Sequence, residues 1–495
     1  MFSLRHRSGQ AILLLLVAFA LRSPFFGNPV IHSDEQFYLL VGDRLLHGAW
    51  PYVDIFDRKP VGLFLIFAAI RSVGGDGVLM YQLAATLVAT ATAFLVARIV
   101  SRLSFDDANP VASVGAALIY LVWLVMFDGA GGQSAVWGNG LMAAAALLVL
   151  DTTRGHRHIS LRGIGAMLLI GMAMQIKYTA MFEGIFFGLT LLWAARREGR
   201  SLGRLAADAA LWVGAALLPT ALAWAVYAAA GHNDAFVFAN FLSIFGQQDD
   251  DTLRSNMLKL LGGIGLSLPL AWLAWRGRRA GSFALGWVAA AVIAIFIMHT
   301  FELLYMLPLA LPLSVAAGTG LNGAGLNGAR LNGAGLNGTT LRATVARLTA
   351  VLVFGALAAT ILTNVRVGRR GNAHQVAQLV QLIGQHPRGC MFAYGSEPIL
   401  YFLTRSCLPT PYIFRSHLGQ TTEEHGTGVD PVVEVARLLA ARPGVIVLRA
   451  AKPSTNLATQ ALVLRAIAAR YRLVGSVRIG ELPQSVYRLR TDAPR

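Results

Sequence analysis

The sequence predicts an all-α polytopic membrane protein of about eleven transmembrane helices, carrying a small C-terminal extracytoplasmic α/β domain. Three observations predict it. The 495-residue chain is 55% hydrophobic and only 14% charged, whereas a soluble domain has about 25% charged residues. Apolar runs of roughly 15 to 22 residues recur along the chain, the length a helix needs to cross the hydrocarbon core of a bilayer. The net charge of +17 sits largely in short links such as RGHRH (154–158), RREGR (196–200) and RGRR (276–279). In a soluble chain that charge would suggest nucleic acid. Between apolar runs it marks cytoplasmic loops instead, and no nucleic-acid partner is expected.

The elements follow in order. The basic start MFSLRHRS belongs in the cytoplasm, so the helix at about 9–24 delivers the next loop to the outer side. Ala18-Phe19-Ala20 has the spacing of a signal-peptidase site. Arg22 and a further apolar turn follow it, so retention is expected, and either outcome leaves the loop outside. The stretch 61–73 is short and stops at Arg71 and Gly74-Gly75. As a span it would carry Arg98 and Arg102 to the outer side, so an interfacial helix is expected there. Spans follow at about 78–97, 111–128, 134–150, 162–176, 180–195, 209–230, 257–275, 283–299, 302–318 and 343–363. The N-terminus is then cytoplasmic, the acidic link QQDDD (247–251) outside, and the protein a multi-pass component of the plasma (inner) membrane. The pentads AGLNG and ARLNG within 319–341 resemble one coil of a pentapeptide-repeat solenoid. They are too few to bury a core by themselves and are expected to form a cytoplasmic linker. The expected division is thus a transmembrane module, 1–365, with its first external loop at 25–77, and an extracytoplasmic domain, 366–495.

From about residue 366 strands and helices alternate. RGCMFAYGS and VIVLRA read as strands, SEPILYFLTR, PVVEVARLLAARPG and ATQALVLRAIAARY as helices, and YRLVGSVRIG and SVYRLR as further strands, the pattern of a small α/β domain. Its many arginines are compatible with an outside position, because long translocated domains largely escape the positive-inside bias. Cys390 and Cys407 are the two cysteines. They form no CxxC and no His/Cys metal spacing, so no zinc or redox site is expected. In an oxidising compartment a disulfide between them stays open.

The chemistry gathers in SDEQFYLLVGDRLLHGAWPYVDIFDRKP, Ser33 to Pro60. Ser33 and Gln36 match a capping box. The helix they start should run to His47 with Phe37, Leu40, Val41 and Leu45 on one face and Gly48 as its stop, lying on the outer membrane surface. Asp34 and Glu35 suit the first turn of any helix, yet Asp54, Asp57 and Lys59 close the same loop. Ionisable groups of both signs beside a bilayer are costly unless they are used, so the loop is the candidate site. Lysine adds a second signal. Of 42 basic side chains only Lys59, Lys177, Lys259 and Lys452 are lysines. Lys59 ends the acidic loop, and Lys177 falls where the 162–176 span meets the outer surface. His299 reaches the outer end of its own span.

The string DEQFYLLVGDRLLHGAWPYVDIFDRKPVGLF resembles the first external loop of the GT-C glycosyltransferases. It is nearest to the bacterial members akin to protein O-mannosyltransferases and lipid A aminoarabinose transferases, where Asp-Glu follows the first span and a Lys-Pro comes later. GMAMQIKYTA (171–180), HTFELLYMLPLALPLSVAAG (299–318) and MFAYGSEPILYFLTR (391–405) are similar to further segments of that family, so the resemblance covers most of the chain. Two departures are visible. Val61 stands where many relatives have a second proline, and QSAVWGN (133–139) lacks the acidic residue often found there.

The resemblance implies a GT-C-like fold and transfer of a sugar from a polyprenyl phosphate to a hydroxyl on a glycan, lipid or protein, outside the membrane and with inversion. Because phosphate is already a weak base, no general acid is required. One carboxylate must take the acceptor proton, and cations must neutralise the departing phosphate. It implies Asp34 as base, Lys59, Lys177 and His299 on the donor phosphate, and Glu35, in the catalytic pair with Asp34, and Asp57 as groups that orient the base or the sugar. No cofactor and no metal is expected, the lipid-linked sugar being the donor substrate. A transporter or lipid-linked-sugar flippase is the rival class, but it would place ionisable residues at mid-membrane depth on paired broken helices. A membrane scaffold is the third, and leaves the acidic loop without a purpose.

Overall fold

A computed structural model of the protein describes residues 6–103, 110–153, 158–248, 252–278, 281–299, 301–321 and 338–490. Most of the pentad linker (322–337), the acidic 249–251 and parts of the basic links lie outside the described residues. In chain order the helices are α1 (Arg7–Arg22), α2 (Ser33–Leu46), α3 (Val61–Ser72), α4 (Gly77–Leu103), α5 (Pro110–Met126), α6 (Ser134–Thr153), α7 (Ile159–Met174), α8 (Ala180–Arg197) and α9 (Leu202–Ala229). The short α10 (Asn233–Val237) precedes α11 (Leu253–Arg276), α12 (Ser282–Ile297), α13 (Leu307–Leu321) and the long α14 (Gly338–Arg370). Then come α15 (Ala373–Ile383), β1 (Met391–Tyr394), α16 (Ile399–Leu403), α17 (Pro431–Ala440), β2 (Val445–Arg449), α18 (Leu457–Arg470), β3 (Tyr471–Ile479) and β4 (Leu482–Leu489).

Each of the eleven predicted spans coincides with a helix. Among the described residues seven helical stretches are long and apolar enough to cross a membrane, starting at Arg7, Gly77, Ser134, Leu202, Leu253, Leu303 and Leu341. Shorter apolar helices are α3, α5, α7 and α12. At 12 residues, α3 rises about 18 Å, well short of a bilayer core of about 30 Å.

The backbone divides into two compact units. One is made of 1–24, 83–222 and 252–363, the other of 25–82, 223–251 and 364–495. The segment 25–82 therefore folds with the C-terminal segment rather than with the helices that flank it in sequence.

In the first unit α13 is the central helix, packed on α5, α6, α11 and α12 and buried along its whole length. Arg22, which the sequence places at the end of the first span, is itself buried. Its guanidinium donates to Thr86 Oγ1 at 3.0 Å and to the carbonyls of Gly129 and Gly131 at 2.5 and 2.6 Å. A charge there tolerates burial because its N–H groups are satisfied by oxygens. Close helix approach elsewhere depends on small residues: a Cβ at Gly171 would lie 2.3 Å from the Ala216 carbonyl, and one at Gly320 1.9 Å from that of Leu273, a packing habit of helices in lipid.

In the second unit a four-stranded sheet has the order β1-β2-β4-β3. β1 and β2 are parallel, Met391 opposite Val445, while β4 runs antiparallel to both β2 and β3. Phe392, Tyr394, Val435, Leu438, Ile446, Val463 and Tyr471 form its core. The β3–β4 turn is made at Gly480, φ +59°, where a side chain would collide with the Arg369 carbonyl 2.0 Å away. The predicted strands and helices are present in their predicted order, and α15 is an addition. Cys390 and Cys407 are joined in a disulfide. It closes a segment of separation 17 around β1 and α16, worth about 3 kcal/mol on chain-entropy grounds.

Two local expectations are corrected. The N-cap of α2 is His32, whose ring nitrogen accepts from the Asp34 N–H at 3.2 Å. Ser33 lies inside the helix, and Gln36 is drawn away by long-range partners, its amide donating to Glu397 Oε2 at 3.0 Å. Nor does α2 keep a wet face at its start: Glu35 to Gly42 are all buried, because α3 and α16 pack on it.

Candidate functional site

The second unit brings together Asp34, Asp57 and Lys59. Asp34, in the first turn of α2, keeps a side-chain exposure of 22%. Its Oδ1 lies 3.6 Å from His32 Nδ1, and its Oδ2 accepts from the Tyr38 hydroxyl at 3.4 Å. Tyr38 follows one turn later and is anchored by edge contacts with Phe64 and Phe67, centroids 6.3 and 5.5 Å away. Neither His32 nor Tyr38 was singled out from sequence, although the four-residue spacing of Asp34 and Tyr38 was a usable signal.

Asp57 is held differently. Its Oδ1 accepts from the backbone N–H of Arg58 at 2.5 Å and of Lys59 at 3.2 Å. Burial pushes its carboxyl above the usual range, the Lys59 charge and the Arg58 N–H pull it back, and the charge of Asp34 pushes it up again. The three groups therefore form one electrostatic cluster. Tyr52 fixes the loop that presents them. It adopts φ +73°, a left-handed conformation costing about 1–2 kcal/mol outside glycine. The Tyr52 N–H donates to the Ile55 carbonyl at 2.7 Å and its hydroxyl to the Lys59 carbonyl at 2.8 Å, while its ring packs on Tyr227 and Phe236.

The same loop is tied to the C-terminal segment. Arg58 forms a two-pronged ion pair with Glu423 and also donates to the Gly426 carbonyl at 2.8 Å. Glu397 receives Gln36 on one oxygen and Arg449 on the other, at 3.0 and 2.9 Å. Burial alone would raise the Glu397 carboxyl, but Arg415, Arg449 and the Gln36 hydrogen bond outweigh it and hold it below its ordinary value. Glu35, expected beside the base, is fully buried on α2.

The first unit holds the other two predicted residues. Lys177 lies in the turn between α7 and α8, its Nζ 4.6 Å from the centroid of the Tyr305 ring. It lines a small, half-open cavity of about 40 Å³ with Ser134 and Asn139 of α6, Glu183 of α8, and Tyr305. The segment QSAVWGN, which carries no acid, thus contributes Ser134 and Asn139 to this wall. His299 follows α12, exposed, at φ +49°, with its Nδ1 3.1 Å from the Ile297 carbonyl. Among the described residues it is Met298, not His299, that lines the cavity. No group of three or more His, Cys, Asp or Glu side chains among the described residues is placed to hold a metal ion.

The architecture is similar to that of ArnT from Cupriavidus metallidurans. Against the crystal structure bound to undecaprenyl phosphate the TM-score is 0.66 at 14% identity, covering 99% of this chain and all of that one. The chain has a GT-C fold. Against the apo structure the TM-score is 0.64 at 15% identity, covering 97% of this chain and 98% of ArnT. No protein-family model and no curated protein matches the sequence. At this identity the likeness is one of fold.

Proposed function

We propose that the protein is an integral-membrane glycosyltransferase that moves a sugar from a polyprenyl-phosphate donor to a hydroxyl acceptor. The observation that carries the proposal is the cluster of a partly exposed carboxylate, Asp34, with a buried carboxyl, Asp57, and an ammonium, Lys59, in a protein of GT-C fold. That ArnT of this fold is bound to undecaprenyl phosphate supports a lipid-phosphate donor here.

In the proposed reaction the acceptor oxygen attacks the anomeric carbon as the bond from that carbon to the phosphate oxygen breaks, which inverts the centre. The bonding electrons leave with the phosphate, and the acceptor proton passes to the Asp34 carboxylate. The Tyr38 hydroxyl donates to one Asp34 oxygen and His32 stands beside the other, which fixes the orientation of the carboxylate. Lys59, Lys177 and His299 are the cations assigned to the departing phosphate. Asp57 orients by binding the backbone on both sides of Arg58, which sets where Lys59 points. Glu35 supports the first turn of α2. The reaction would occur on the outer side of the plasma membrane, with the N-terminus in the cytoplasm and the C-terminal segment outside.

Purified protein in lipid nanodiscs, incubated with a panel of polyprenyl-phosphate sugars and hydroxyl acceptors, should release polyprenyl phosphate, read by mass spectrometry. Failure of every donor to bind or to lose its sugar would overturn the proposal.

A further inference from the structure

Glu183 has no part in the steps above, yet it is a carboxyl group buried to 4% exposure and the one acidic residue of α8, whose other charges, Arg196 and Arg197, lie in its last turn. Keeping an ionisable group out of water is costly unless it is paired or hydrogen-bonded. One partner is dedicated to it: Trp287 of α12 donates its indole N–H to Glu183 Oε2 at 2.6 Å. The indole is in turn held by Phe187 and Phe283, centroids 5.1 and 6.1 Å away. The carboxylate is therefore set in place, and it lines the same cavity as Lys177 and Tyr305.

A plainer account exists, since Glu183 falls in the first turn of α8, where an acid complements the helix dipole. That account explains neither the cavity nor the indole, and exposed first-turn acids serve the dipole without the cost of burial. A carboxylate accepts about four hydrogen bonds, and one indole supplies one. Across the cavity Asn139 directs its amide N–H₂ to the Tyr120 hydroxyl and the Leu307 carbonyl at 3.4 and 3.3 Å. Glu183 is thus a fixed acceptor in a wall whose cation is Lys177.

We propose that Glu183 is a sugar-recognition residue, accepting hydrogen bonds from hydroxyl or ammonium groups of the donor's sugar while Lys177 faces its phosphate. The assignment rests on the glycosyl-transfer reading above and adds the part of the donor that this cavity reads.

The test compares two probes, undecaprenyl phosphate and the undecaprenyl-phosphate sugar that the wild type uses best, binding to protein in nanodiscs. Glu183→Gln keeps the shape and the Trp287 contact but weakens the acceptor. It should bind undecaprenyl phosphate like the wild type and the sugar-bearing lipid about 10- to 100-fold more weakly, the range for a hydrogen bond to a charged group. Trp287→Phe, which frees the carboxylate, should shift the same ratio in the same direction by less. A neutral hexose and an amino sugar as donors separate the two sources: equal losses mean hydroxyl contacts, a loss confined to the amino sugar an ammonium contact. If Glu183→Gln binds both lipids like the wild type, or loses both equally, the residue is structural and the proposal falls. If the wild type binds no sugar-bearing lipid, the glycosyl-transfer reading fails instead.

Discussion

Arg58 grips Glu423 with both prongs of its guanidinium, Nη1 to Oε1 at 3.1 Å and Nη2 to Oε2 at 2.6 Å. The two residues are 365 positions apart in the chain, and their side chains are only 15% and 5% exposed. Arg58 also stands between Asp57 and Lys59, so the pair joins the C-terminal segment to the loop that presents the cluster. Removing one partner of such a buried pair leaves an uncompensated charge, which costs roughly 3–5 kcal/mol. Arg58→Met and Glu423→Gln should each lower the unfolding midpoint in detergent markedly. The double variant should cost less than the sum of the two, and strict additivity would show that the pair is not coupled.

Asp34→Asn should keep the fold and the affinity for a polyprenyl-phosphate sugar but lower turnover by roughly two to four orders of magnitude, the usual range for a lost general base. Near-normal turnover in the folded variant would remove Asp34 from that role. Tyr38→Phe, which releases one oxygen of Asp34, should give a smaller loss in turnover with unchanged donor binding.

Lysine-to-methionine changes separate phosphate contacts from membrane anchors. Methionine keeps much of the apolar stem but removes the ammonium, so Lys59→Met and Lys177→Met should weaken donor binding and lower catalytic efficiency with little change in stability. Lys259 is the comparison, because its Nζ lies 3.2 Å from Glu302 Oε1 at an exposed position. If all three variants behave alike, in activity and in donor affinity, the two lysines are not phosphate contacts.

Acid stability should carry the mark of His417. Burial first, and the Arg58 charge second, pull its pKa down to about 3. It sits among Phe56, Phe414 and Tyr412, centroids 5.3, 5.4 and 6.5 Å away. Unfolded, a histidine takes up its proton near pH 6.5, so between pH 6.5 and about 3 the unfolded chain binds more protons than the folded one. The contribution is complete above pH 6.5 and is lost as pH falls, at up to about 1.4 kcal/mol per pH unit. His417→Phe should flatten the stability profile between pH 6.5 and 4.5, read from unfolding midpoints. An unchanged slope would mean that His417 is not held neutral.

Topology is open to thiol labelling, because both native cysteines are consumed in the disulfide. Cysteines at His47 and Val433, both well exposed, should react with an impermeant reagent on intact cells. One at Arg197, in a basic link, should react only after permeabilisation. Labelling of position 197 from outside, or of 433 only after lysis, would reverse the proposed orientation.

Much of the architecture was legible because it depends on local sequence. Helices such as α4 and α9 announce themselves by apolar length. The distal α/β order follows from short alternating segments, and with two cysteines a single intramolecular disulfide was open. The acidic loop stood out because charge beside a bilayer is costly. What the tertiary structure alone decided is the choice of partner. Ser33 and Gln36 spell a capping box, but Glu397, 361 residues away, takes the Gln36 amide and His32 becomes the cap. The loop at 25–82 and the segment 223–251 join the C-terminal unit, although sequence adjacency assigns them to the membrane module. Glu183 could have been noticed as a lone acid in an apolar helix, yet only the fold brings Trp287 to it and opens a cavity beside it. Propensity and periodicity act over a few residues, so they write elements into the sequence. A buried polar group takes whichever distant partner satisfies it, and that is settled only when the chain has packed.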